Sequence, residues 1–184
     1  MRKPRSSQLL ISMAQWKLIC ALLLLIGSAY VSVTLPISEK GIPFSAQSLV
    51  VFYLAGVLKP RLTGLLVLTY LGLGVLGLPV FAEGTSGFAK IIGPSGGFLY
   101  GFLVSGFLIS FLVDSQQVKA LKSYIFIMIL GTIVLFICGL GQLTYQFGFE
   151  KALEYGFYPF WKMALVKAFL ASFLVFWTKP RLFG

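Results

Sequence analysis

Six long apolar runs, separated by short polar connections, dominate this sequence of 184 residues. Hydrophobic residues make up 58% of the chain and charged residues only 11%, whereas soluble domains carry about 25% charged residues. Because a membrane-spanning helix takes about 20 apolar residues, the runs predict transmembrane helices. With boundaries at Pro, Gly and charged residues, the predicted spans are residues 14–35, 43–58, 62–81, 96–113, 125–143 and 159–178.

The basic residues between these spans are distributed unequally. Nine fall on the side of the two termini and three on the opposite side. Because cytoplasmic loops carry the excess of Lys and Arg, both termini and the second and fourth connections are predicted to be cytoplasmic. The nine are Arg2, Lys3, Arg5, Lys59, Arg61, Lys119, Lys122, Lys179 and Arg181, and the three are Lys40, Lys90 and Lys151.

The chain is predicted to be one membrane domain, residues 1–184, with a short basic tail at about residues 1–13. Its connections are too short for a soluble domain, and no repeat of about 20 to 50 residues is visible. The first run reaches Pro36 without a small-residue cleavage site, so we expect it to remain as a helix. The predicted fold class is an all-α integral membrane protein with about six transmembrane helices in a single bundle and cytoplasmic termini.

The residue types argue against catalysis and metal binding. The chain has no histidine, its acids form no paired cluster within the spans, and Cys20 and Cys138 both lie in apolar runs. No GxxxxGK[ST] phosphate loop occurs, which excludes ATP hydrolysis by the usual machinery. The formal charge of +10 is split into short clusters, unlike a nucleic-acid-binding face. We therefore predict no catalytic residue, metal, cofactor or nucleic-acid partner.

Residues 72–77 fit the dinucleotide pattern GxGxxG, but they lie in an apolar run without the strand-turn-helix context. Glycines in membrane helices more often permit close helix approach. Gly97, Gly101 and Ser105 repeat that small-residue spacing on the fourth predicted helix. Helix packing is the predicted role of both segments.

A glycine- and serine-rich segment, residues 77–102, joins the third and fourth predicted helices. Non-helical backbone at membrane depth is tolerated where protein or a water-filled cavity satisfies its polar groups. The segment is therefore predicted to line a cavity on the outer side, with free backbone groups for an uncharged polar ligand. An ordinary outward loop is the alternative.

Lys167 lies eight residues inside the sixth predicted span, about 12 Å from its start. A charge at that depth costs about 2.5 kcal/mol or more, which favours a cavity, an acidic partner or a ligand. Snorkelling is the alternative for Lys167 and the preferred explanation for Lys162. An interfacial belt explains most outer aromatic residues, although one or two remain candidates for packing on a ligand ring: Tyr145, Tyr155, Phe157, Tyr158, Phe160 and Trp161.

Two signatures and their separation resemble one family. GLPVFA at residues 77–82 and GPSGG at residues 93–97 are similar to the GLPVFA and GPTGG signatures of BioY, the biotin-specific substrate-capture subunit of energy-coupling-factor (ECF) vitamin transporters. The resemblance covers nearly the whole chain. Further support comes from SAQ at residues 45–47, YL at 70–71, PF at 159–160, and Lys167.

The resemblance implies a six-helix membrane domain that captures biotin from outside for uptake. In this family, transport usually requires a membrane coupling subunit and two ATPase subunits, although some members are thought to work without them. The implied location is a lipid bilayer, as a multi-pass protein of a bacterial plasma membrane or an organellar membrane of bacterial descent. Whether the chain forms a homo-oligomer stays open.

The chain departs from the family pattern at three places. Ala164 stands where the family commonly has an aspartate three residues before the lysine, and Phe98 stands where a tyrosine follows GPTGG. The first helix also lacks the AxxxA docking face, because Ala21 is followed by Leu25. Relative to the family pattern, the first two departures remove two polar side chains expected to contact the ligand. The third removes the helix face expected to dock on the membrane coupling subunit.

Biotin presents a ureido ring, an apolar thioether ring and a carboxylate. The turns at residues 82–87 and 93–97 are predicted to supply backbone partners, Gln47 and Lys167 side-chain partners, and Trp161 an apolar cover. Since Ala164 removes the family acid, Glu83 is predicted to accept from the ureido N–H groups. The predicted ligand-binding set is Gln47, Phe81, Glu83, Gly84, Gly93, Ser95, Gly96, Tyr145, Trp161 and Lys167.

Two alternatives to biotin capture stay open. A substrate-capture subunit for a different small vitamin is one, because the missing acid at Ala164 changes the ring that is recognised. A non-transporting structural membrane subunit without a ligand is the other, since glycine-rich helix faces and aromatic belts would suffice for it.

Overall fold

A computed structural model describes residues 5–34, 43–116 and 118–183, with side chains for residues 15–32, 44–116 and 118–179. Eight α-helices occur in these residues: α1 Arg5–Tyr30, α2 Gln47–Val57, α3 Pro60–Val75, α4 Phe88–Ile92, α5 Gly96–Ser115, α6 Leu121–Phe147, α7 Phe149–Ala152 and α8 Trp161–Phe183. Two strands, a 3₁₀ turn and a π turn complete the structure: β1 Ser32–Thr34, β2 Pro43–Ser45, Ala82–Gly84 and Leu153–Phe157.

Three of the described helices have the length and apolar composition to cross a membrane, namely α5, α6 and the Trp161–Lys179 part of α8. The apolar parts of α1, α2 and α3 are shorter and cover Gln15–Tyr30, Gln47–Val57 and Pro60–Val75. The predicted class, a helical membrane protein, is thus confirmed. Six crossings and cytoplasmic termini remain predictions.

The predicted helix boundaries are wrong between α1 and α2. Helix was expected through residue 35 and again from residue 43, but α1 ends at Tyr30 and a two-stranded sheet follows. Strands β1 and β2 are antiparallel and pair Ser32 with Ser45 and Val33 with Phe44. The β-branched residues in the VSVT segment at 31–34 favour a strand, which apolar content alone did not reveal. Residues 35–42 lie outside the described residues.

Helix α3 ends in a turn built around Gly77, six residues short of the predicted span end. The N–H of Leu78 donates to the Leu73 carbonyl at 3.0 Å, and the N–H of Gly77 donates to the Gly74 carbonyl at 3.2 Å. Gly77 has a φ of +100°, where a residue with a Cβ is strained. The GxGxxG segment is therefore the end of a helix and not a strand-turn-helix element.

Helices α5 and α6 pack closely along their small residues. A methyl group on Gly97 would lie 2.5 Å from the Cys138 carbonyl oxygen, and one on Gly101 would lie 3.0 Å from Leu135 Cδ1. Ser105 is fully buried one turn further along α5. The prediction that this small-residue row serves helix packing is confirmed, because any added side chain would push the two helices apart.

The hydrophobic core runs between α1, α2, α3, α5, α6 and α8. Helix α2 packs against both α5 and α8, and α8 also packs against α6. This arrangement brings α2, α5, α6 and α8 around one space at the end of the bundle to which β2 and the α3–α5 connection also belong.

Candidate ligand site

A cavity opens where the sheet, the α3–α5 connection and the turn before α8 meet. The cavity has a volume of about 100 Å³ and is partly open to solvent. The lining residues are Phe44, Ser45, Gln47, Ser48, Phe81, Ala82, Thr85, Lys90, Ser95, Phe98, Leu99, Phe102, Leu135, Phe136, Phe160, Ala164 and Lys167.

Lys167 reaches the cavity from α8. Its ammonium donates to the Ser45 carbonyl oxygen at 2.6 Å and to Ser48 Oγ at 3.3 Å, and it lies 4.0 Å from the centroid of the Phe44 ring. Both acceptors are neutral oxygens. Because an ammonium has three donors, these two bonds leave one donor for a ligand.

Gln47 belongs to a buried chain of hydrogen bonds. Ser45 Oγ donates to Gln47 Oε1 at 2.7 Å, Gln47 Nε2 donates to the Tyr70 hydroxyl, and that hydroxyl donates to the Val80 carbonyl at 2.8 Å. Gln47 is only 2% exposed, yet it lines the cavity. These hydrogen bonds therefore set the orientation of the Gln47 amide and connect α2 to the segment that carries Phe81.

Phe81 is the fixed part of the α3–α5 connection. Its ring meets the Tyr70 ring edge to face, with centroids 5.7 Å apart, and a methyl group on Gly74 would overlap it. The Phe81 N–H donates to the Thr85 carbonyl at 3.0 Å, which closes a tight loop. Close contact with Gly74 thus places the Phe81 ring in the cavity wall.

Six phenylalanines supply most of the large apolar side chains of the lining. Phe44 and Phe160 stack with centroids 5.9 Å apart and an interplanar angle of 11°. Phe98 contacts Phe160 at 6.4 Å and Phe136 at 6.3 Å. These rings supply the flat apolar surface that a small ring system needs.

The structure brings four of the ten predicted ligand residues into the lining: Gln47, Phe81, Ser95 and Lys167. The other six lie outside it: Glu83, Gly84, Gly93, Gly96, Tyr145 and Trp161. Ligand contact by any of the ten remains a prediction, but five of the six now have other structural explanations.

Two of the three predicted aromatic residues, Tyr145 and Trp161, lie outside the cavity lining. Tyr145 is 91% exposed, and Trp161 stacks on Phe157 at 6.4 Å while Lys162 lies 5.6 Å from its ring. Both fit the alternative of an interfacial belt. Phe160, the neighbour of Trp161, is the residue that lines the cavity instead.

Three further residues of the set are explained by backbone geometry. Glu83 is exposed and has a φ of +61°, and its N–H donates to Ser32 Oγ at 3.2 Å. Gly84 has a φ of +65°, which favours glycine. A methyl group on Gly96 would overlap the Ile91 carbonyl oxygen. The glycines therefore serve the fold of the connection.

Sequence reasoning missed Lys90 as a site residue. It lines the cavity from α4, although its sequence position marked it only as an outward charge. The available signal was a lone lysine between two glycine turns. With Lys167 it makes the lining cationic, because no carboxylate occurs among the described lining residues. No cluster of three metal-ligating side chains occurs in the described residues either.

Comparison with known proteins agrees with the two signatures. The model of the BioY family matches residues 4–182. Biotin transporter BioY2 of Lactococcus lactis subsp. cremoris (strain MG1363) is 39% identical over 164 residues, covering 87% of this chain and 90% of the relative. Biotin transporter BioY of Thermotoga maritima is 32% identical over 152 residues, covering 82% of this chain and 86% of the relative.

A solved structure shows the same fold. The crystal structure of the S-component for biotin from an ECF-type ABC transporter matches with a TM-score of 0.84 and 22% identity, over 100% of this chain and 96% of that chain. Together, the family model and the relatives cover most of this sequence, signatures included. The chain belongs to the BioY family.

Proposed function

We propose that this chain captures biotin for its uptake, and that it is a transport subunit and not an enzyme. Its relatives are named biotin transporters, and the matched structure is an S-component for biotin. The observation that carries the proposal is the cavity, in which six phenylalanines surround one buried amide and two lysines. Biotin combines an apolar ring, a ureido group and a carboxylate, so each part has a partner of suitable chemistry.

We assign the ureido carbonyl to the free donor of Lys167, beside the stacked rings of Phe44 and Phe160. The ionised carboxylate is assigned to Lys90, because α4 has no buried residue and a charged group is cheapest near solvent. The second lone pair of Gln47 Oε1 is the acceptor assigned to a ureido N–H.

The proposed topology has six spans, with both termini and Lys59, Arg61, Lys119 and Lys122 on the cytoplasmic side of the cell membrane. Its support is that the cavity gathers residues of the first, third and fifth connections, which the charge distribution assigns to the outside. Under this topology the cavity opens outward, where the vitamin is captured.

Energy for uptake is proposed to come from a membrane coupling subunit and two ATPase subunits, since this sequence has no phosphate loop. The name of the matched structure, an S-component of an ECF-type transporter, supports this assignment.

Calorimetry on the purified chain in detergent tests the proposal, with biotin, desthiobiotin and thiamine as ligands. We expect nanomolar to low-micromolar binding of biotin and none of thiamine. Lys167→Ala is expected to weaken biotin binding more than tenfold, whereas Lys162→Ala, on the exposed face of the same helix, leaves it unchanged. Folded wild-type protein that binds no biotin would refute the proposal.

A different small vitamin is the second candidate. The observation in its favour is that Ala164 and Phe98, which replace the polar residues of the family pattern, both line the cavity. Competition of labelled biotin with a panel of unlabelled vitamins distinguishes the two. Stronger competition by another vitamin than by biotin itself would select this candidate.

A further inference from the structure

Helix α4 carries Lys90 to the cavity, yet little apolar packing holds the helix. None of its five residues is buried, and Phe88 and Ile92 are 61% and 58% exposed. Ile91 is partly buried against the core. At the amino end of α4, Gly87 has a φ of +96° and its N–H donates to the Gly74 carbonyl at 2.7 Å. The carboxyl end must be held by other means.

Two glutamines of α6 hold that carboxyl end. Gln142 Nε2 donates to the Ile91 carbonyl oxygen at 3.2 Å and to the Gly93 carbonyl oxygen. Gln146 Nε2 donates to the Ile92 carbonyl oxygen at 2.5 Å. The last four carbonyls of a helix have no partner within the helix, so these amides satisfy three successive acceptors.

The orientation of Gln142 is itself set by a neighbour. The Tyr100 hydroxyl, on α5, donates to Gln142 Oε1 at 2.5 Å, which leaves the amide nitrogen toward α4. Gln142, Gln146 and Tyr100 are all absent from the cavity lining. Their polar groups therefore act on α4 and are not contacts for the ligand.

We infer that Gln142 and Gln146 are positioning residues that latch α4 and so hold Lys90 at the cavity. This inference rests on the proposed function, because Lys90 matters there as the partner of the ligand carboxylate. When the glutamine amides no longer bond the carbonyls at the end of α4, the helix can move between its two glycine turns. This movement withdraws Lys90 from the ligand. The latch therefore controls how fast the ligand leaves.

The test uses Gln142→Leu, Gln146→Leu and the double variant in the full chain. Gln116→Leu is the matched control, because Gln116 is exposed at the far end of α5. Hydrogen exchange of the peptide covering residues 88–95 is measured without ligand. Association and dissociation rates of labelled biotin are measured separately.

In the double variant, we expect at least tenfold faster exchange in residues 88–95 and about threefold faster biotin dissociation, the factor that loss of the Lys90 contact would give. Association should stay within twofold of wild type, and the control should match wild type in every rate. If the two glutamines only stabilise the fold, the double variant should unfold at a lower temperature. It should then show no faster hydrogen exchange localised to α4 and no faster biotin dissociation.

Exchange and dissociation within twofold of wild type would overturn the inference. If variants of Gln142 do not fold, Gln146→Leu decides alone, with at least threefold faster exchange in residues 88–95 expected from the loss of its single bond. Wild-type protein that binds no biotin would refute the proposed function, and the exchange measurement would still test the latch.

Discussion

The connection between α3 and α5 has two halves that are held in different ways. In the first half, Phe81 is buried against Tyr70 and Gly74, and backbone hydrogen bonds close the loop. In the second half, α4 has no buried residue and depends on the amides of Gln142 and Gln146. Both halves line the same cavity.

The difference shows how one glycine-rich stretch acquires two mechanical properties. Apolar burial over a whole ring is lost only when the ring leaves its site, so the first half is a fixed wall. Side-chain hydrogen bonds contribute about 1 kcal/mol each and can be broken singly, so the second half is suited to move. Variants in each half test this contrast.

The largest effect is expected in the fixed half, from Gly74→Ala. Its methyl group would overlap the Phe81 ring, and overpacking of this kind costs about 1–3 kcal/mol. We expect a lower unfolding temperature and more than tenfold weaker biotin binding. Gly72→Ala is the control on the same helix, because a methyl group there meets nothing within 4 Å. Equal effects of the two variants would contradict a fixed wall.

A smaller effect is expected from Tyr70→Phe, which keeps the ring contact with Phe81 but removes the link between Gln47 and the Val80 carbonyl. Loss of about 1 kcal/mol corresponds to roughly fivefold weaker biotin binding, measured by calorimetry. Tyr124→Phe serves as control.

The control residue Tyr124 donates to the Val118 carbonyl at the opposite end of the bundle. Its variant should lower stability without changing affinity. An unchanged affinity in Tyr70→Phe would show that ring packing alone holds the first half of the connection.

In the movable half, Lys90→Gln is expected to weaken biotin binding about threefold, or about 0.7 kcal/mol, because exposed ion pairs contribute little. Binding of the neutral biotin amide should not change, so the two ligands become nearly equal in the variant. Lys151→Gln, which removes an exposed charge outside the lining, is the control. A threefold loss for both ligands would argue against a carboxylate partner.

The smallest effect is expected from Glu83→Gln, measured by the same calorimetry. Because Glu83 is exposed and lies outside the lining, biotin affinity should change by less than twofold, or about 0.4 kcal/mol. A larger loss would support the prediction from sequence that this carboxylate accepts from the ureido ring.

The contrast between the two halves was not visible in the sequence. Both halves are rich in glycine, and the cavity-lining role predicted for them was argued from backbone chemistry alone. The two halves differ in the distant residues that contact them. In the second half, Gln142 contacts the Gly93 carbonyl across 49 residues of chain, and Tyr100 contacts Gln142 across 42. Such pairs are set by how α5 and α6 pack, which local patterns do not contain.

The sequence by itself determined the membrane class, the helix-packing role of the α5 glycines and the position of Lys167 at a cavity, because burial in lipid imposes strict costs on composition and on charge. Only the tertiary structure decided which aromatic residue faces the cavity, Phe160 and not Trp161, and that Lys90 joins the site. The physical reason is that helix rotation and the folding back of a connection depend on packing against distant segments. Lys167 and Ser45, for example, meet across 122 residues.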